Sequence, residues 1–92
     1  MIESFRHKGL ERFFFTGSKG GISPSHAEKI ERILDRLDAS ICPSDMNLPG
    51  YNLHELKGKD AGIWSVTVNA NWRITFGFKG QNAFLVDYRD YH

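Results

Sequence analysis

Between Ser23 and Ile41 the apolar residues Ala27, Ile30, Leu34, Leu37 and Ile41 fall at alternating steps of three and four. That spacing lines one face of an α-helix and predicts a single apolar stripe. Charged residues take the remaining positions, with Glu28 and Arg32 one turn apart as an ion pair. Ser23 suits the N-cap, and Pro24 the first helical position, where a missing N–H costs nothing. Upstream, KGLERFFFTG places Leu10, Phe13 and Phe14 at helical spacing with Gly17 as a stop. Ile2 to Phe5 reads as a short strand, and GSKGG connects the two helices.

After the irregular stretch Pro43 to Gly50 the helical period gives way to alternation. YNLHEL reads as a short strand with a turn at GKDAG behind it. In IWSVTV, Trp64, Val66 and Val68 point one way and Ile63, Ser65 and Thr67 the other. The turn Asn69-Ala70-Asn71 leads into WRITFGF, where Trp72, Ile74, Phe76 and Phe78 share a face. KGQN is a further turn and AFLVDY a last strand. Two helices followed by a meander imply an α+β fold of order β-α-α-β-β-β, with both helices packed on one face of a mainly antiparallel sheet. Ser65, Thr67, Arg73 and Thr75 then occupy the opposite face. It is more polar than its strand lengths require, which makes it a candidate working surface.

Ninety-two residues, 40% of them apolar, suffice for one domain spanning 1–92 with one modest core. Cys42 has no second cysteine to pair with, so a reduced, cytoplasmic setting is expected. No apolar run approaches a bilayer span, and MIESFRHKGL lacks the apolar stretch of a signal peptide, so no membrane association is expected. Twelve Lys and Arg oppose eleven Asp and Glu, for a net charge of +1. Long-range attraction to a polyanion is therefore weak, and any phosphate site must be built from a few local cations.

Four candidate groups fit such a site. Arg73, central in its strand, is either a solvated arginine with a long stem or a guanidinium offered to phosphate. His54 and Lys57, in LHELKG, read individually as a packed histidine and a solvent-facing lysine. Glu55 lies between them, and alternation turns its carboxylate to the other face. The closing DYRDYH adds His92, which can carry a proton near neutrality, Asp90, which can orient an imidazole, and Tyr91, which can stack on a base. No metal-ligand spacing is present, so neither a metal nor another cofactor is expected. RNA supplies its own nucleophile, the 2′-hydroxyl. Its cleavage needs a base, cations at the crowded phosphorane and an acid for the 5′-oxygen.

LHELKG, WSVTVNANWRITFGF and the terminal DYRDYH together resemble the HigB toxins of the RelE superfamily of bacterial toxin–antitoxin systems, over essentially the whole chain. The resemblance implies a microbial-RNase-like α+β domain that cuts mRNA in the ribosomal A site. It also implies functional positions at His54, Lys57, Arg73, Asp90, Tyr91 and His92. Lys57 and Arg73 would neutralise the scissile phosphate, His92 would carry a proton, Asp90 would support the network, and Tyr91 would position the nucleotide. Which histidine is base and which is acid stays open. The implied partners are a cognate HigA-like helix-turn-helix antitoxin, the ribosome and its mRNA, and operator DNA through the antitoxin. Two other readings are a non-catalytic, antitoxin-bound corepressor and a ribonuclease that cuts free RNA.

Overall fold

His7 and Gly17 bracket the first helix. In a computed structural model, which describes residues 1–91, α1 runs over Lys8–Thr16. The Leu10 N–H donates to His7 Nδ1 at 2.9 Å, satisfying one of the donors a helix start leaves open. At the other end Gly17 takes φ 79°, and its N–H closes on Phe13 O at 2.8 Å. Leu10 and Phe13 are buried.

The second helix, α2, covers Ala27–Ala39 and is entered through a 3-10 turn at Pro24–His26. Ser23 makes no cap bond to the helix; its hydroxyl lies 3.1 Å from that of Ser25. Ala27, Ile30, Ile33, Leu34 and Leu37 form the buried stripe. The Arg32–Glu28 pair closes at 2.9 Å on the exposed side. Ile41 falls outside the stripe, at 55% exposure, because the chain turns extended at Ser40. There the Ser40 hydroxyl donates back to Arg36 O at 2.7 Å, competing with continuation of the helix.

Four antiparallel strands follow in the order β1-β2-β3-β4: β1 His54–Glu55, β2 Ile63–Asn69, β3 Trp72–Lys79 and β4 Asn82–Asp90. β1 is shorter than the alternation in YNLHEL suggests, because Asn52 sits at φ 50° and breaks the extended run. The N-terminal strand is likewise reduced to two parallel bridges beside β4, Ile2 to Ala83 and Phe5 to Val86. That segment still occupies β4's open edge, with Arg6 N–H donating to Val86 O at 2.8 Å and Val86 N–H to Ser4 O at 3.1 Å. Val66, Ile74, Phe76 and Val86 are fully buried and join both helices in one cluster. The helices thus cover one sheet face, as the pattern predicts.

Candidate functional site

Directly opposed residues of an antiparallel pair point to the same face. Ser65 opposes both His54 and Thr75, and Thr75 opposes Asp87, so these four form a row across the helix-free face. Thr67, Arg73 and Arg89 form the next row. Two residues beyond Arg89, Tyr91 keeps to the same side. Its N–H donates to Asn71 O at 2.8 Å, and its hydroxyl accepts from Arg89 Nη1 at 2.9 Å.

Two arginines facing each other across a sheet repel unless something holds them. Arg73 folds back on the β2–β3 turn, its Nη1 donating to Ala70 O at 2.7 Å and Trp72 O at 3.3 Å. Arg89 donates from Nε to Asp87 Oδ2 at 2.8 Å. Burial works against the Arg89 charge, but the bonds to Asp87 and Tyr91 outweigh it and hold the guanidinium's pKa above its ordinary value. Both guanidinium groups are thus held by neighbours within the sheet.

In the neighbouring row, the Ser65 and Thr75 hydroxyls are fully buried and have no hydrogen-bond partner among the described residues. Such a group costs about 1–3 kcal/mol. The β1–β2 loop beside this face carries a 3-10 turn at Gly58–Asp60. Lys59, Asp60 and Ala61 of that loop line one cavity with Arg6, Leu85 and Arg89, from the far edge of the sheet. The loop therefore reaches across the helix-free face.

His54 is exposed on β1, its Nδ1 3.1 Å from Asn52 O. A carbonyl only accepts, so Nδ1 carries the proton in that contact, which leaves Nε2 as the lone-pair nitrogen of the neutral ring. Lys57 is exposed at the start of the β1–β2 loop. The Glu55 carboxylate points away from these groups, accepting from Gly62 N–H at 2.9 Å. The structure thus puts His54, Arg73 and Tyr91 on one face, with Lys57 entering the loop over it.

Asp90 does not join them. It opposes Trp72, on the side that carries the helices, and its negative charge acts on Tyr88. His92 lies outside the described residues. The sequence reading passed over Arg89, although alternation through Asp87, Arg89 and Tyr91 puts it on Arg73's side. It also missed an aromatic clamp behind the sheet. Trp72 and Tyr88 stack at 4.5 Å, and His26 Nδ1 sits 2.7 Å from the Tyr88 hydroxyl. Burial raises the Tyr88 pKa, the Ser23 backbone lowers it, and the Asp90 charge raises it again, for a net rise. The phenol stays protonated and can donate to His26. This clamp anchors the end of β4, from which Asp90 and Tyr91 emerge.

Cavities between the helices are lined by Phe13 and Gly17 with the charged groups Lys19, Glu28, Glu31 and Asp35.

A family model described as HigB-like toxin, the RelE-like toxin of the type II toxin–antitoxin system HigB, matches residues 3–92. The chain is 42% identical over 92 residues to Endoribonuclease HigB of Proteus vulgaris, covering all of both chains. It is 33% identical over 78 residues to Toxin HigB-1 of Vibrio cholerae serotype O1, covering 83% of this chain and 82% of that one. With matches of that extent, the chain belongs to the HigB-like family, the RelE-like toxins of type II toxin–antitoxin systems.

Proposed function

We propose that this endoribonuclease toxin cleaves messages during translation, in the ribosomal A site, by attack of the RNA 2′-hydroxyl on the adjacent phosphate. The observation that carries the reading is the opposed pair Arg73 and Arg89 on a face that also bears His54 and Tyr91. Guanidinium groups grip phosphate oxygens through paired N–H donors and stabilise the charge that builds on the phosphorane. Lys57 adds an ammonium from the loop. His54 Nε2 is suited to take the 2′-hydroxyl proton, and His92 then delivers a proton to the departing 5′-oxygen. Tyr91 offers a ring to the nucleotide while its hydroxyl steadies Arg89. Asp90 acts from behind, through the Tyr88 clamp at the end of β4.

A net charge of +1 gives little long-range pull on naked RNA, which favours a message already held by the ribosome. The setting is cytoplasmic. Activity is restrained by a cognate helix-turn-helix antitoxin, which makes the contacts to operator DNA. The test is to express the protein without antitoxin and map new message 5′ ends by primer extension, alongside purified protein on transcript with and without ribosomes. In-frame ends that require ribosomes are expected. Intact messages would remove the enzymatic reading, and equal cutting of naked transcript would remove its ribosomal part.

A further inference from the structure

Arg6, Lys59 and Arg89 converge on a cavity of about 280 Å³ walled by Ala61, Ile63 and Leu85, with Asp60 at its edge. With Asp87 paired to Arg89 and Asp60 at the edge, three cations meet two carboxylates there, and Arg6 and Lys59 supply the local positive excess. Arg6 and Lys59 are exposed and belong to neither ion pair found among the described residues. A solvated surface is the usual fate of such side chains, but Arg89 is mostly buried, with 24% of its side chain exposed. It is tied by Asp87 and Tyr91 through Nε and Nη1, and its Nη2 has no partner among the described residues.

The wall is equally specific. Leu85 sits at φ 54°, a left-handed conformation that costs a leucine about 1–3 kcal/mol. It lies where the β3–β4 register shifts between Thr75 and Gly77, and its N–H is held by Ser4 Oγ at 2.9 Å. The bulge thus sets an apolar side chain beside three cations. A free anion needs no apolar wall, and an apolar ligand needs no cations. A nucleotide uses both, with phosphate on the guanidinium and ammonium groups and base or ribose on Ile63 and Leu85. Arg89 belongs to this cavity and also opposes Arg73, so the cavity adjoins the phosphate proposed to be cut.

We propose that this cavity is a subsite for a nucleotide of single-stranded RNA flanking the scissile phosphate. The inference rests on reading the helix-free face as the RNA-binding one. Its test reads binding rather than cleavage. A 2′-O-methylated RNA, which has no free nucleophile, is placed in the A site of ribosomes, and affinity is measured over a range of salt. The arms are wild type, the double variant Arg6→Gln/Lys59→Gln and the conservative double variant Arg6→Lys/Lys59→Arg, each also on ribosomes with an empty A site.

The glutamine pair is expected to bind the filled ribosome about tenfold more weakly, with a salt dependence shallower by about one contact. The conservative pair should bind within about threefold of wild type, showing that charge rather than folding was lost. An equal loss on empty ribosomes would overturn the inference, because the contact would then be made to ribosomal RNA and not to a nucleotide flanking the scissile phosphate. Wild-type affinity and salt slope for the glutamine pair in both arms would overturn the inference. Because the RNA cannot be cut, a failure of the catalytic assignments would show in cleavage assays and leave this result unaffected.

Discussion

Ile74 and Thr75 are neighbours in β3, both fully buried, yet their surroundings differ in kind. Ile74 belongs to the buried apolar cluster that also holds Val66, Val86 and Leu37. Thr75 faces the other way, against Ser65 and Asp87, with a hydroxyl that finds no partner among the described residues. Two rows of the sheet repeat the contrast. Behind it, Trp72 and Tyr88 stack with His26 hydrogen-bonded to Tyr88; in front, Arg73 and Arg89 face each other as like charges. One face resolves its local conflicts and holds the fold together. The other keeps an orphaned hydroxyl pair, a left-handed leucine and opposed cations, which is where a protein is expected to forgo stability for function.

Substitutions on adjacent residues probe that contrast directly. Ile74→Ala, on the packed face, is expected to lower stability by about 2–5 kcal/mol in urea unfolding, since a buried isoleucine leaves a cavity. A loss under about 1 kcal/mol would mean that face is loosely packed. Thr75→Val keeps the shape and removes the orphaned hydroxyl, so stability should hold or rise by up to about 1 kcal/mol. A clear fall would reveal a hidden partner and erase the distinction between the faces.

The smallest expected effect is alkaline. The Tyr88 pKa is raised in the folded state, mainly by burial and further by Asp90. The folded protein therefore keeps the phenol proton after the unfolded chain has lost it. That contribution is complete below about pH 10 and is lost as pH rises through the higher folded value. Tyr88→Phe should unfold with a shallower alkaline slope than wild type. An identical slope would leave the clamp without a role in that pH range.

Much of this was legible in the residues themselves. Alternation in IWSVTV and WRITFGF assigned both sheet faces correctly, because a period of two leaves no freedom once one face is buried. The α2 stripe ran one residue too far at Ile41, where the Ser40 hydroxyl diverts the chain. YNLHEL looked like a full strand because nothing local announces that Asn52 turns left-handed. For Asp90 the same alternation was available. It sets Asp90 with Tyr88 and apart from Tyr91, yet DYRDYH invites reading its last three residues as one cluster. The cavity was out of reach. Positions 6, 59 and 89 meet only because a loop from one sheet edge crosses to the other.

The central claim, that the helix-free face does the chemistry, is tested most directly by single-turnover message cleavage. Arg73→Ala and Arg89→Ala would be compared with Arg32→Ala, whose side chain is paired with Glu28 on α2. The first two should each lose about 10²–10³ in rate, the scale of one electrostatic contact to a transition state, while Arg32→Ala stays within about twofold of wild type. Wild-type rates for Arg73→Ala and Arg89→Ala, or an equal loss for Arg32→Ala, would contradict it.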